Sequence, residues 1–352
     1  QGRHLDGFKP VFFRLIDGQE EKKEAALRAE QFRFDQTVQD EFGEIPGSPV
    51  AYWVGEKFRS LFSSTEPVGA ISEIAVGLFT CDNERFLRGW HEVSIEKIGF
   101  NFTSRGTADE SKNKYFPYNK GGGFRRWYGL NELVVQFNDD GKQIRVHREN
   151  SGQSYSLPGE RFYFRCGITW SGLTSSINSF RFSGNGFVFE SNKGQMLFSD
   201  DDLLTIASLN SVVTERAIAL INPTISLQSN EVKKLPRLKG IQPETAKKNA
   251  KRLIDLHKCD WDNQEVSWDF LTSPLISKNQ KSNLLRLSWK EFSDGCELAV
   301  AECRRLEEEN NNLFISSYDL QNELTPEVPE SQITLARADR EKDCQRLISY
   351  AI

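Results

Sequence analysis

One segment restricts the folding of this chain more than any other: residues 114–131, K-Y-F-P-Y-N-K-G-G-G-F-R-R-W-Y-G-L-N. This basic-aromatic stretch interleaves cations with rings around three consecutive glycines, and no acidic residue lies between Ser111 and Asn131. Cations beside flat rings suit a polyanion with stackable faces, as nucleic acid has. Glycine lacks the Cβ atom, so another backbone can approach closely. An equally weighted structural interpretation is a hairpin loop with a half-buried aromatic cluster and solvated basic tips.

The size and composition are those of a soluble globular protein. The 352 residues predict two or three domains, and 38% of the residues are hydrophobic while 27% are charged. No apolar run approaches the roughly 20 residues of a membrane helix, and the polar start shows no signal peptide. We therefore expect no membrane partner.

The six cysteines include no C-x-x-C pair, and the four histidines do not cluster with them. This spacing argues against a zinc site. The thiols are predicted to be free and reduced, as is usual in the cytoplasm.

Both ends predict a piece of a longer polypeptide. Residue 1 is not methionine, and the final residues L-I-S-Y-A-I are an apolar run without a helix stop signal. We expect the C-terminal end to be cut inside an element.

Helical patterns flank a middle region rich in short strands. Residues 20–31 contain good helix formers, and Ser48-Pro49 predicts a capped helix to about Phe62. Further helices are predicted at 200–221 with an acidic first turn, at 243–257, and at 285–318. The polar run at 307–312 is interpreted as a solvated face of the last helix.

Two hairpins are predicted in the strand-rich region. One joins residues 133–137 to 142–146 through N-D-D-G, and the other joins 180–182 to 187–189 through S-G-N-G. The charge supports a special role for this region, because residues 101–170 carry eleven Lys/Arg against seven Asp/Glu. Residues 291–330 carry two arginines against eleven acids, so a polyanion surface is expected in the middle of the chain.

Catalytic motifs are absent from the sequence: it contains no G-x-S-x-G, no Walker phosphate loop and no H-E-x-x-H. Residues 222–225, N-P-T-I, begin like the N-P-P-Y tetrad of amino-group DNA methyltransferases. They lack its second proline and its aromatic ring, so we reject this assignment.

Hydrogen-bonding side chains that suit base edges occur in two places. Asn119, Arg125, Arg126, Asn131 and Arg145 lie in or near the basic-aromatic stretch, and a polar cluster surrounds a tryptophan at 169–176, T-W-S-G-L-T-S-S. Arginine prefers guanine and asparagine prefers adenine in the major groove, whereas phosphate contacts fix position only. The sequence does not assign these residues between the two roles.

Several segments together resemble the PglX-like adenine-specific DNA methyltransferases of BREX phage-defence systems. The most specific is Y-F-P-Y-N-K-G-G at 115–122 with F-R-R-W-Y-G at 124–129. The other segments are I-P-G-S-P-V-A-Y-W at 45–53, G-L-F-T-C-D-N-E-R-F-L at 77–87, L-N-S at 209–211, N-P-T at 222–224, L-P at 235–236 and E-L-T-P-E-V-P at 323–329. Cys81 replaces the usual glycine of the 77–87 motif, so that turn is expected to differ slightly.

The resemblance implies an α+β chain in three parts. Residues 1–66 would be a helical connector following a missing catalytic domain, 67–240 a β-rich target-recognition domain, and 241–352 a C-terminal helical region truncated at its end. The S-adenosylmethionine site and the catalytic tetrad would lie in the missing upstream domain. This chain would therefore hold no cofactor and be inactive alone, while the intact protein would be a site-specific adenine-N6 methyltransferase of the bacterial cytoplasm.

The hypothesis is sequence-specific recognition of double-stranded DNA. Lysines and arginines would contact phosphates or base edges, Tyr118 and Trp127 would pack or wedge beside the duplex, and polar side chains would recognise bases. The candidate DNA-binding residues are Lys114, Tyr118, Asn119, Lys120, Arg125, Arg126, Trp127, Asn131, Arg145, Trp170, Ser171, Thr174 and Ser175. Other BREX components and acidic, DNA-mimicking phage proteins are further candidate partners.

Two alternatives remain open. A protein-interaction module would dock other defence components through its acidic helices, especially residues 307–312, while the basic-aromatic stretch is structural. An independent hydrolase would need a catalytic site that the sequence does not contain. Salt dependence separates DNA binding from an apolar protein interface.

Overall fold

The computed structural model describes residues 7–175, 177–276 and 284–352. Ser176, the last residue of the predicted polar cluster, and residues 1–6 of the predicted connector lie outside these ranges. Helices and small sheets occur in the same chain, so the predicted α+β class is confirmed.

The helices are distributed along the described residues, and the two longest lie in the C-terminal third of the chain. The helices are α1 (Glu20–Arg28), α2 (Glu56–Ser64), α3 (Asn83–Phe86), α4 (Arg105–Glu110), α5 (Asn138–Asn150), α6 (Asp202–Leu209), α7 (Val212–Ile221), α8 (Ser229–Lys233), α9 (Pro243–Asp262), α10 (Leu285–Ser317) and α11 (Arg340–Ala351). The predictions of α1, α9 and α10 are confirmed. Pro243 begins α9 because its missing N–H costs nothing in the first helical turn.

The strands are short. They are β1 (Phe12–Phe13), β2 (Arg33–Phe34), β3 (Glu73–Ala75), β4 (Leu87–Gly89), β5 (Tyr115–Asn119), β6 (Leu133–Gln136), β7 (Gly167–Trp170), β8 (Phe180–Ser183), β9 (Val188–Phe189) and β10 (Met196–Phe198). In the described residues they form a β1-β2 ribbon, a sheet ordered β3-β10-β7-β8 and a sheet ordered β4-β6-β5-β9. All of these pairs are antiparallel except β5 with β9.

The predicted hairpin at 133–146 is wrong in its second half. β6 is followed by α5, and Asp139, Asp140 and Gly141 enter that helix with positive φ angles of 52°, 52° and 71°. The reason is topological, because β4 and β5 already occupy both edges of β6. No edge is left for another strand, and Ile144 is buried on the inner face of α5 instead.

The predicted hairpin at 180–189 is also wrong, since its two strands belong to different sheets. β8 pairs with β7, whereas β9 pairs in parallel with β5. The residues between these two strands hydrogen-bond Phe164 instead. The Phe164 N–H donates to Phe187 O at 2.8 Å, and the Phe164 carbonyl accepts from Gly186 N at 3.0 Å.

The predicted helix at 48–62 begins later, at Glu56. Ser48 has a φ angle of 48°, which is outside the extended conformation of a helix N-cap. Gly55 has the extended conformation that precedes the helix, so the Ser-Pro pair lies in the preceding loop.

The predicted helix at 200–221 is two helices, α6 and α7. Asp201 caps α6 by accepting from Leu204 N at 3.1 Å, as its acidic start predicted, and Ser211 caps α7 by accepting from Thr214 N at 3.3 Å. No single helix in the described ranges is long and apolar enough to cross a membrane; α6 and α7 meet that test together, with a 65° bend.

Two hydrophobic clusters stabilise the fold. The larger packs the β7 sheet against helices, and it joins Phe58 of α2, Ile168 of β7, Leu253 of α9 and Phe314 of α10. The smaller surrounds the β5 sheet. Each fully buried aromatic or aliphatic side chain contributes about 1.5–3 kcal/mol. The larger cluster therefore binds the helices of the C-terminal third firmly to the β7 sheet.

Candidate nucleic-acid interface

The basic-aromatic stretch has two structural parts. Its first residues form β5, and residues 120–132 form a loop that leads to the antiparallel neighbour β6. The beginning of this loop lies at the surface, whereas Arg125, Arg126 and Trp127 are buried. The two parts have different partners.

The surface part belongs to a group of four loops, residues 120–124, 171–175, 190–195 and 222–228, which we call the loop platform. The first and third loops touch through their backbones. A Cβ atom on Gly121 would lie 1.9 Å from Lys193 O, and one on Gly194 would lie 2.4 Å from Asn119 O. Glycine is required at both positions, and Gly121 also has a φ angle of 77°.

The second loop joins the first and the third. Ser171 Oγ accepts from Gly122 N at 3.1 Å, and Gly172 N donates to Lys193 O at 3.1 Å. These bonds place the predicted candidates Lys120 and Ser171 side by side, but Ser171 is only 4% exposed and supports the loop platform from beneath.

The fourth loop completes the loop platform. Thr174 N donates to Ile225 O at 3.0 Å, and Leu227 N donates to Gly172 O at 3.0 Å. Gln228 Nε2 also donates to Gly172 O, at 3.2 Å. A network of main-chain bonds therefore fixes the relative positions of loops that are far apart in sequence.

Two lysines give the loop platform a positive charge. Partial burial lowers the pKa of Lys120, the nearby Lys193 lowers it further, and the Glu190 carboxylate opposes both effects. Glu190 Oε2 is occupied by the backbone N–H groups of Asn192 and Lys193. Neither lysine forms an ion pair with a carboxylate in the described residues, so both ammonium groups are available to an external anion.

Polar and apolar side chains are exposed beside these lysines. Ser175 and Asn192 are exposed, as are Leu173 at 45% and Ile225 at 62% of their surface. Lysine suits phosphate, serine and asparagine suit base edges, and aliphatic groups suit the thymine methyl. The loop platform thus combines the chemical groups that a duplex-binding surface uses.

The buried part forms what we call the arginine network, which consists of Arg125, Arg126 and the helical residues that bind them. Arg126 Nη1 lies 2.9 Å from Glu307 Oε2, and its Nη2 lies 3.3 Å from Glu215 Oε2 and 3.2 Å from Gln332 Oε1. Burial raises the pKa of Glu215, and the Arg126 guanidinium opposes this rise.

Arg125 binds α9 in the same network. Its Nη2 lies 2.8 Å from Asp260 Oδ2 and 3.1 Å from His257 O, and its guanidinium lies 5.1 Å from the centre of the Trp261 ring. The His257 ring is fully buried beside it, with Nε2 3.1 Å from Thr334 Oγ1. Burial, reinforced by the nearby arginines, lowers the pKa of His257 to about 3, so this ring is neutral at pH 7.

The predicted wedge and packing residues lie inside the protein. Trp127 Nε1 donates to Glu307 Oε1 at 2.6 Å, Tyr118 Oη donates to Leu78 O at 3.1 Å, and Trp170 Nε1 donates to Leu227 O at 2.9 Å. All three side chains are at most 1% exposed. In these positions none of the three rings contacts a molecule bound at the surface.

The remaining candidates are dispersed. Asn119 is buried and donates to Ser183 Oγ at 2.7 Å, and Asn131 is buried and hydrogen-bonds the Tyr128 hydroxyl. Arg145 is buried on α5 and binds Asp140 and Glu160.

Lys114 is exposed beside the Tyr115 ring at the opposite end of β5 from Lys120. Six residues of extended strand separate them by roughly 20 Å. The structure thus brings together Lys120, Ser171, Thr174 and Ser175 and separates Lys114 from them.

The interpretation of residues 307–312 as a solvated face is wrong. Glu307, Asn310 and Asn311 are 3%, 1% and 5% exposed. Glu307 binds the arginine network, Asn310 Nδ2 donates to Ala207 O at 2.9 Å, and Asn311 Nδ2 donates to Pro326 O at 3.0 Å. Polar side chains are retained in this helix because each of them has buried partners.

The third loop of the loop platform was not predicted from the sequence. Asn192 and Lys193 lie in a turn, N-K-G, that follows β9. Turn chemistry of this kind marks a loop, but only its packing against Gly121 identifies Lys193 as a neighbour of Lys120.

No protein-family model matches the chain. Among known proteins, it is 33% identical over 371 positions to "Adenine-specific methyltransferase PglX" of Lacticaseibacillus casei (strain Zhang), in a match covering 100% of this chain and 30% of that protein. It is 32% identical over 299 positions to "Adenine-specific methyltransferase BrxX" of Escherichia coli O9:H4 (strain HS), covering 84% of this chain and 23% of that protein. The chain therefore spans less than a third of the length of either relative.

Proposed function

This chain is a PglX-like sequence, related over its whole length to part of an adenine-specific methyltransferase, and from that premise we propose that it recognises double-stranded DNA. The intact protein would be an S-adenosylmethionine-dependent adenine-N6 DNA methyltransferase of a BREX phage-defence system in the bacterial cytoplasm. The predicted division into a connector, a target-recognition domain and a helical region is retained in this proposal.

The loop platform is the observation that supports the proposal. It presents two lysines without an ion-pair partner in the described residues, together with exposed polar and aliphatic side chains. Lys120 and Lys193 would bind phosphates and set the position of the duplex. Ser175 and Asn192 would contact base edges, while Leu173 and Ile225 suit thymine methyl groups.

Recognition would serve methylation by holding the duplex in register. Extruding a base from the stack costs a few kcal/mol, so the flanking duplex must be bound firmly. S-adenosylmethionine would supply the methyl group in a part of the protein outside this chain.

Residues 222–225, the segment that begins like a catalytic tetrad, do not fit an adenine site. The Asn222 amide closes a turn: its Nδ2 donates to Ser226 O at 2.6 Å, and its Oδ1 accepts from Thr224 Oγ1 at 2.7 Å. Ile225 occupies the place of the aromatic ring. We therefore assign no catalytic residue to this chain.

The interaction-module alternative is supported by one observation. That alternative requires the arginines of the basic-aromatic stretch to be structural. Arg125 and Arg126 do bind carboxylates within the chain. However, the acidic run that it uses for docking has Glu307, Asn310 and Asn311 buried, so the surface of that run offers few of its polar groups to a partner. The exposed lysines of the loop platform favour a polyanion, and an acidic DNA-mimicking phage protein would compete for them.

Binding of the chain to short duplexes at two salt concentrations tests the proposal. Each phosphate contact contributes about −0.9 to the slope of log K against log salt. We expect Lys120→Ala with Lys193→Ala to weaken binding to all sequences and reduce the slope by about 2.

Lys112→Ala with Lys114→Ala is the matched control, because it removes the same charge at the opposite end of β5. This pair is expected to leave the slope near the wild-type value. A larger effect of the control pair would move the contact surface to Lys114, and salt-insensitive binding by the wild type would favour the interaction module.

A further inference from the structure

The loop that begins at Lys120 is held by residues of the C-terminal helices. Five positions after Lys120, Arg125 Nη2 lies 2.8 Å from Asp260 Oδ2 of α9, and the next side chain, Arg126, lies 2.9 Å from Glu307 Oε2 of α10. The surface lysine is therefore separated by a few residues from one buried and one partly buried ion pair.

Glu307 is dedicated to this loop. Its Oε2 binds Arg126, and its Oε1 accepts from Trp127 Nε1 at 2.6 Å. Both carboxylate oxygens thus bind consecutive residues of the loop, and the side chain is 3% exposed. A buried carboxylate with two charge-assisted bonds fixes its partners in a narrow range of positions.

The exposed part of the loop is built from glycine, the residue whose backbone is least restricted. Three consecutive glycines follow Lys120, and a Cβ on Gly123 would meet no atom within 4 Å. On one side the loop is fixed by the bond from Gly122 N to Ser171 Oγ. On the other side the next fixed points are Arg125 and Arg126.

We propose that Glu307 and Asp260 are positioning residues through which the C-terminal helices set the sequence selectivity of the loop platform. This inference rests on the proposed function. Lysine side chains are long and flexible, so they bind phosphate even when the loop shifts. Base-edge hydrogen bonds need more accurate placement. The loops that carry Ser175 and Asn192 are held to this loop at Gly122 and Gly121, so loosening it should displace them and reduce selectivity more than affinity.

Strand β8 is the competing anchor for the same loop. Trp127 N donates to Phe180 O at 2.9 Å, and Phe182 N donates to Trp127 O at 2.8 Å. If these backbone bonds alone fixed the loop, removing the charge of Glu307 would leave selectivity unchanged.

The experiment compares Glu307→Gln with Glu302→Gln in the full chain. Both changes remove one negative charge from α10, but Glu302 forms an exposed pair with Arg252 at 2.8 Å and does not contact the loop. Wild type and variants are each used to select bound duplexes from a random-sequence pool, and affinity is then measured for one enriched and one unrelated duplex.

We expect Glu307→Gln to reduce the ratio of these two affinities by about tenfold, which corresponds to the discrimination at one base pair. Affinity for the unrelated duplex should stay within about threefold of wild type. Glu302→Gln should change neither quantity, and a thermal melt of each variant establishes that it is folded.

Equal selectivity of folded Glu307→Gln and Glu302→Gln would overturn the inference and leave the proposed function intact. Salt-insensitive binding without sequence preference in the wild type would overturn both. If Glu307→Gln does not fold, Asp260→Asn replaces it, because Asp260 binds the neighbouring Arg125 from a side chain that is 15% exposed. Its selectivity is expected to fall by a smaller factor, and an unchanged value would overturn the inference.

Discussion

The loop platform and the arginine network use the same residue types in opposite ways. Both include part of residues 120–132, and both depend on cations. In the loop platform Lys120 and Lys193 meet solvent, whereas in the arginine network the buried Arg125 and Arg126 meet carboxylates from helices elsewhere in the chain. The comparison teaches that a basic sequence motif can be divided between a binding surface and the structure that holds this surface.

Arginine suits the interior part for a chemical reason. Its planar guanidinium keeps its charge when buried and donates several hydrogen bonds in fixed directions. Arg126 uses this capacity to bind Glu307, Glu215 and Gln332 at once. Lysine concentrates its charge on a flexible stem, which suits a surface that adapts to phosphates.

The largest expected effect is on stability. Arg126→Ala leaves Glu307 buried without its ion-pair partner, and breaking a buried pair costs about 3–5 kcal/mol. Arg305→Ala removes an exposed pair with Glu309 on the same helix and should cost less than about 1 kcal/mol. Chemical denaturation measures both, and equal costs would mean that the arginine network has no special structural role.

The next effect is a pH dependence of the arginine network. His257 has a pKa of about 3 in the folded chain and about 6.5 when unfolded. The unfolded chain therefore binds a proton that the folded chain does not, and stability contributed by neutral His257 is lost as pH falls from about 6.5 towards 3. Each pH unit in this window costs at most about 1.4 kcal/mol.

His257→Gln removes this titration. Between pH 6.5 and 4 the unfolding free energy of the wild type should fall by up to about 3 kcal/mol more than that of His257→Gln. The exposed His91→Gln serves as the control and should keep the wild-type slope. Parallel pH profiles for wild type and His257→Gln would contradict a buried neutral ring.

The smallest expected effect concerns the loop platform. Gly121→Ala places a methyl group 1.9 Å from Lys193 O at a φ angle of 77°, and we expect a loss of about 1–2 kcal/mol. Gly123→Ala adds the same group in open space and should be nearly neutral. Denaturation and duplex binding together test the pair, and a neutral Gly121→Ala would show that the two loops are not held as described.

Local elements were largely predictable from sequence. α1, α9 and α10 follow from helix-forming composition, and the Asp201 cap follows from acids before an apolar run. The failures are non-local. The strand predicted after β6 is a helix because β4 and β5 occupy its edges, and residues 307–312 look solvated because their buried partners lie elsewhere in the chain.

The candidate site was predictable only in part, because it too joins segments that are far apart in sequence. The sequence identified the basic-aromatic stretch and the polar cluster at 169–176, and the buried Ser171 does hold the loop that begins at Lys120. Their DNA contacts stay a prediction. Lys193 was missed, since its proximity to Lys120 depends on the packing of Gly121 and Gly194 across two loops.

The sequence by itself determined the kind of elements, the family resemblance, and the segment in which cations and glycines are concentrated. Only the tertiary structure decided which cations meet solvent. An arginine can be buried only where a carboxylate from another part of the chain arrives to balance it, and Glu307 binds Arg126 across 181 positions of sequence. Local sequence does not encode that encounter, because it depends on how α10 packs against α7 and α9.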